Sequence, residues 1–413
     1  MSDLDALFRA VLDRPDDDTP RLVYADALDD LGAADRAAFV RGQVEAARAA
    51  PWEPAAVRYR FYGGDAPPGR DWQTELPPLP AGLGWVLPPY RRGFPAVVQA
   101  DDGSAFAAAA EHLFELAPVE ALELAALPAG DVAAFAACPG LARIKRLVVR
   151  AGLGQATARG LLDSPHLTAL DDLVIGAGLT SGRTARAVVD APAFRRLRAL
   201  SYRDEERGGW LVTALASVAD PPPLRSLDLQ GNRLSGYSLR RLLDAPVAAG
   251  LECLDVGDNN LGADGFRELV GGDRLRALRR LDAMRIGLGS AGVSELAGSP
   301  LAARLRVLNL GGNALGPNVG AALGAMDLPE LGVLDLRDNR LGDEGVAQLL
   351  RGRWVAGLLH LDLSENGIGP AGVETLAAVR GWDGLIALDL GGNPVPPGAK
   401  QRLRECLGDR VLF

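Results

Sequence analysis

Cysteine, histidine, lysine and aromatic residues are all scarce in this chain, and each shortage removes a class of function. Three cysteines, Cys138, Cys253 and Cys406, stand far apart with no Cys-x-x-Cys or Cys/His spacing, so neither a structural zinc site nor a disulfide framework is expected. So low and odd a count fits a reducing compartment. The three histidines, His112, His166 and His360, lie outside any recognisable nucleophile motif, and no Gly-x-x-x-x-Gly-Lys-Ser/Thr loop occurs. No catalytic residue, cofactor or metal is therefore expected. Lysine occurs only at 145 and 400, arginine supplies the remaining base, and the net charge of -9 opposes attraction to nucleic acid. No stretch approaches the ~18 uncharged apolar residues of a membrane span. The opening Met-Ser-Asp-Leu-Asp also lacks the basic and apolar regions of a signal peptide. These absences predict a cytoplasmic, monomeric protein without enzymatic activity. With aromatics at 5%, leucine, alanine and valine must fill the core.

What the chain has in abundance is leucine at a fixed spacing. Leu224, Leu227, Leu229, Asn232 and Leu234 are followed by Leu251, Leu254, Val256, Asn259 and Leu261, and later by Leu331, Leu334, Leu336, Asn339 and Leu341. The second leucine of each copy runs through 122, 147, 173, 200, 227, 254, 281, 308, 334, 361 and 388, a period of 25 to 27 residues. This pattern predicts an α/β leucine-rich-repeat solenoid of about eleven copies, each a short strand, a turn and a returning helix. It predicts a curved array with a parallel sheet inside and helices outside. Asn232, Asn259, Asn313, Asn339, Asn366 and Asn393 form a ladder whose amides can pair with backbone groups in the turns, and Ile286 interrupts it. The early copies are degenerate, with Leu127, Gly152, Gly178 and Glu205 at the Asn position, and Val97-Val98 adds a further strand in front.

Three regions follow. Residues 1–50 read as a small all-α unit. Its first helix carries Leu4, Leu7, Phe8, Val11 and Leu12 and is capped by Ser2; its second starts at Thr19-Pro20 and ends at Gly32; its third holds Phe39, Val40 and Val44. Asp16, Asp17 and Asp18 fit cap and helix-dipole roles better than a metal site. Residues 51–93 hold nine of the 28 prolines and seven of the 22 aromatics, Trp52, Tyr59, Phe61, Tyr62, Trp72, Trp85 and Tyr90, which predicts a packed connector covering the N-terminal end of the array. Residues 94–413 form the array, with a C-terminal cap near 394–413.

Function is sought on the strand face that opposes the helices. Asp228, Asp255, Asp282, Asn309, Asp335, Asp362 and Asp389 fall in one column there, flanked by Arg280, Arg337 and His360. Two readings stand side by side: an acidic stripe that attracts a partner with a basic surface, or aspartates hydrogen-bonded to their own neighbours. Trp210, beside Asp204, Glu205, Glu206 and Arg207, is either a loop hot spot or packed under its turn. Both readings leave a non-enzymatic scaffold for a protein partner on the concave face and strand-end loops. The alternative is a regulator of an enzyme, an inhibitor or a GTPase activator, acting through the same surface.

The segment LGVLDLRDNRLGDEGVAQLL at 331–350 resembles the ribonuclease-inhibitor-like class of leucine-rich repeats. DDDTPRLVYADALDDLG at 16–32, with AAFVRGQ at 37–43 and the closing DRVLF, is similar to the short repeat-companion domain of planctomycete bacteria. The resemblance implies a bacterial protein-interaction module, names no partner and transfers no catalytic residue.

Overall fold

The computed structural model describes residues 3–59, 76–176, 178–203 and 208–413. Its contacts divide into two compact units, Met1–Leu197 and Arg198–Phe413.

The first unit begins with α1 (Asp3–Asp13), α2 (Thr19–Asp30), α3 (Ala34–Arg48) and the short α4 (Pro54–Arg58). Asp17 Oδ1 accepts the Thr19 N–H at 2.8 Å and Pro20 occupies the first turn of α2, so the Asp16–Asp18 run does start a helix. At the other end Gly32 adopts φ +80°, and the Gly32 and Ala33 N–H groups return to Asp29 O and Leu28 O. That paired closure is the reason a glycine stands there. Ser2, Phe61, Tyr62 and Trp72 lie outside the described residues.

Strands β1 (Leu83–Trp85), β2 (Tyr90–Arg91), β3 (Phe94–Pro95), β4 (Val97–Ala100), β5 (Ala121–Leu124), β6 (Arg146–Val149) and β7 (Asp172–Ile175) complete this unit. β4 to β7 are parallel, with Val98, Leu122, Leu147 and Leu173 in register, and β1 runs antiparallel along β4. In these degenerate copies backbone groups replace the missing ladder amide: Leu153 bridges Leu179, and the Gly176 N–H returns to Val149 O at 2.8 Å.

The β2–β3 hairpin joins the helices to the strands. Phe94 lies in one core with Val11, Ala25, Leu28, Ala37 and Val40. Gly93, at φ +86°, sits where a Cβ would meet Val40 within 2.9 Å; its N–H reaches Gln43 Oε1 at 2.6 Å and its carbonyl accepts from Arg36 at 2.8 Å. The parallel strands begin at β4, close to residue 94, and the first of them share a compact unit with α1 to α4. This hairpin and a charge network fasten α1 to α3 onto the first strands.

The second unit contains β8 (Ala199–Tyr202), β9 (Ser226–Asp228), β10 (Cys253–Asp255), β11 (Arg280–Asp282), β12 (Val307–Asn309), β13 (Val333–Asp335), β14 (His360–Asp362), β15 (Ala387–Asp389) and β16 (Val411–Leu412), all parallel. Leu200, Leu227, Leu254, Leu281, Leu308, Leu334, Leu361 and Leu388 are direct register partners, and each is buried. This is the stack that the period predicts, with a helix or 3₁₀ turn returning each strand.

The ladder works across copies. Asn259 Oδ1 accepts the Asn232 and Leu234 N–H groups of the copy before it, and its Nδ2 donates to Leu229 O, Val256 O and Gly257 O. Where Ile286 replaces the next Asn, the Leu261 N–H turns back to Asn259 O at 2.7 Å. The same fallback appears after the last Asn, from Val395 N–H to Asn393 O at 2.7 Å. Tight turns around the ladder hold several residues at positive φ, among them Asp258, Arg285, Ala314, Asp338 and Glu365. Ala314 is exposed at φ +52°, so Ala314→Gly is expected to stabilise by about 0.5–1 kcal/mol, read as a higher urea midpoint. A lower midpoint would count against strain in this turn.

Candidate functional site

The strand face of the second unit is built from the residues that alternate with the buried leucines. Its central column is Asp228, Asp255, Asp282, Asn309, Asp335, Asp362 and Asp389, and adjacent members are register partners. Every member uses its Oδ1 locally. It accepts the backbone N–H two residues on, from Gln230, Gly257, Met284, Gly311, Arg337, Ser364 and Gly391 respectively, at 2.8–3.2 Å. The side chain thus closes the turn that leaves each strand, which explains why this column is so uniform.

The second oxygens differ. Asp228 Oδ2 accepts from Ser201 Oγ and from Arg203 Nε and Nη2 at 2.7–2.9 Å. Asp282 Oδ2 accepts from Asn309 Nδ2 at 2.9 Å, so the one amide in the column relieves a neighbouring charge. Asp255 has carboxylates on both sides. Burial, then Asp282 and Asp228, push its pKa up to about 7; burial and Asp362 raise Asp335 to about 6.

A raised carboxyl pKa means that the folded chain holds protons the unfolded chain releases. Asp255 therefore favours folding below pH 4, and that contribution is lost as pH rises from about 4 to 7. Asp255→Asn keeps the turn, as Asn309 shows, and removes the charge. It is expected to stabilise by about 1–2 kcal/mol at pH 8 and to flatten the pH dependence. Urea titrations at pH 4.5 and 8 of both proteins check this, on the order of magnitude given; equal shifts at the two pH values would refute it.

The flanking residues divide. Arg280 lies half-buried on β11. Arg337 reaches backwards across Gly311, donates to the Met284 sulfur at 2.8 Å and stands 3.7 Å from Asp335. His360 lies on the same face as Asp362, in register with Val333 and Ala387, but is only 4% exposed. Trp210 is 37% exposed near the start of the helix Gly208–Ala216. Asp204, Glu205, Glu206 and Arg207 beside it lie outside the described residues.

The sequence reading passed over Arg285, which pairs with Asp258 at 2.5 and 3.0 Å while Gln230 donates to the same carboxylate. Its signal was position: it directly precedes Ile286 in the ladder, where the turn holds each residue at positive φ. Among the described residues no group of His, Cys, Asp and Glu is arranged to hold a metal, and no helix is long and apolar enough to cross a membrane.

The family described as Leucine Rich repeat matches residues 251–270, 331–350 and 358–377. These are leucine-rich repeats. Among curated proteins none matches the chain. Several solved structures do. Rad7 with Elc1 from yeast gives a TM-score of 0.50 at 18% identity, covering 74% of this chain and 79% of that one. An internalin from Listeria monocytogenes gives 0.40 at 16%, covering 71% and 72%, and the TLR13–ssRNA13 complex gives 0.40 at 18%, covering 67% and 40%. At such identities the likeness is one of fold. That to Rad7 agrees with leucine-rich repeats stacked through parallel strands.

Proposed function

We propose that this protein is a non-enzymatic scaffold that takes a protein partner on the strand face and strand-end loops of its leucine-rich repeats. The observation that carries the reading is the run of registered strands from β9 to β15. They carry one continuous column of polar side chains, Asp228 to Asp389, on the face opposite the stacked leucines, with the open Arg203 and Arg337 beside it. Such a face supplies area rather than an enclosed cavity, which suits a macromolecule better than a metabolite. The fold likeness to Rad7, solved as a complex with Elc1, is compatible with that role. The helix on most returns and the 26–27-residue spacing favour the ribonuclease-inhibitor-like class, and residues 1–50 fit a repeat-companion domain. A basic partner would need free carboxylates, yet each aspartate of the column already spends one oxygen on its own turn, so the acidic stripe is structural first.

The test uses the full chain as bait in an extract of the native cell. Ser226→Trp with Ser364→Trp places two bulky groups on the solvated strand face, while Arg351→Trp places one on the exposed far side. The partner is expected to be lost with the first variant and kept with the second. Retention by both, with the fold intact by circular dichroism, would overturn the reading.

A further inference from the structure

We propose that the strand face of the second unit grips an acidic polypeptide segment, with Arg285 and Arg337 as its principal contacts over Gly311 and Gly312. This deepens the docking reading above and rests on it.

The argument starts from which charges face solvent. The carboxylates paired with arginine are recessed, Asp228 being 19%, Asp335 18% and Asp258 29% exposed, whereas Asp338 and Glu365 in the following turns are open. The arginines that lie over them are open, with Arg203 at 56%, Arg285 at 53% and Arg337 at 45%. A partner therefore meets guanidinium first, although the column beneath is acidic.

The two central arginines are laid side by side by a pair of glycines. A Cβ at Gly311 would come within 2.9 Å of Arg337 Cγ, and one at Gly312 within 2.5 Å of Arg285 Cγ. With no side chains there, both stems rest on bare backbone. Neither guanidinium is exhausted. Among the described residues the Arg337 guanidinium meets a thioether and a 3.7 Å ion pair. Arg285 uses Nε and Nη2 on Asp258. The remaining N–H donors suit a carboxylate, which the planar fork can bind through two oxygens. Arginine held flat against a surface loses little side-chain freedom on binding and is a frequent hot-spot residue. Repulsion from below is softened, because burial and neighbouring charge keep Asp255 and Asp335 partly protonated near neutrality.

The experiment is fluorescence anisotropy with labelled deca-glutamate and deca-lysine at about 50 mM salt and neutral pH. The proteins are the full chain, Arg285→Ala/Arg337→Ala, the charge-matched control Arg351→Ala/Arg380→Ala on exposed loops away from the strand face, and Asp255→Asn/Asp335→Asn/Asp362→Asn. Deca-glutamate is expected to bind saturably, about tenfold more weakly to the first variant than to the control, and more tightly to the aspartate variant. Equal binding by the two arginine variants would overturn the proposal, as would no binding of deca-glutamate. Binding of deca-lysine alone, abolished in the aspartate variant, would also overturn it while leaving the strand face as the docking surface.

Discussion

Asn339→Ala is expected to lower the free energy of unfolding by about 3–5 kcal/mol. Asn339 is fully buried. Its Oδ1 accepts the Asn313 N–H at 2.9 Å and the Leu315 N–H at 3.3 Å, and its Nδ2 donates to Leu310 O, Leu336 O and Arg337 O at 2.9–3.2 Å. Alanine strands two donors and weakens three acceptors away from water, and each stranded group costs about 1–3 kcal/mol. The total stays below the sum because the Leu315 N–H can fall back onto Asn313 O, as Leu261 does onto Asn259 beside Ile286. The urea midpoint reports the loss. A cost under about 1 kcal/mol would mean that the ladder amides are replaceable by the turn itself.

The second large effect lies in the first unit. Glu120→Gln is expected to cost about 2–4 kcal/mol and to loosen α1 to α3. Glu120 Oε2 accepts from Arg92 Nη2 at 2.6 Å and pairs with Lys145 at 3.2 Å; Arg92 also reaches Asp18 and Pro15 O, and Lys145 reaches Asp16. Arg21 lies beneath, almost wholly buried, with one donor on Asp17 O and no hydrogen-bond partner for Nε among the described residues. Burial, then the nearby Arg92, pull its pKa down to about 10, while Glu120 and Asp18 hold it up. Glutamine keeps the shape of Glu120 and deletes the charge on which three cations depend. Hydrogen exchange is expected to accelerate in residues 3–48 and to remain unchanged in β10 to β14. Uniform acceleration, or none, would remove Glu120 from the role of hub.

The strands were legible in advance because their signal is periodic and local. A leucine every 27 residues has one inexpensive arrangement, and all the marker leucines of the second unit stack as read. Gly32 as a helix stop was legible for the same reason. The compact boundary at 197 was not, because it depends on Phe94 entering a helical core and on Arg92 and Lys145, both paired with Glu120, reaching Asp18 and Asp16 far upstream. The aspartate column was legible in place, and its turn-closing role is a two-residue relation that the sequence contained. What no pattern carried is the direction of long side chains, Arg337 folding back over Gly311 and Arg285 over Gly312, and the burial of His360.

The ladder also has a direction. Each amide oxygen serves N–H groups in the copy before its own, so a coil followed by a ladder Asn is finished by that next copy. A polypeptide emerging from the ribosome therefore carries one incomplete coil at its newest end throughout synthesis. Shortening the array within the ladder reopens that gap, whereas the copy of Asn393 closes on itself and pairs with β16.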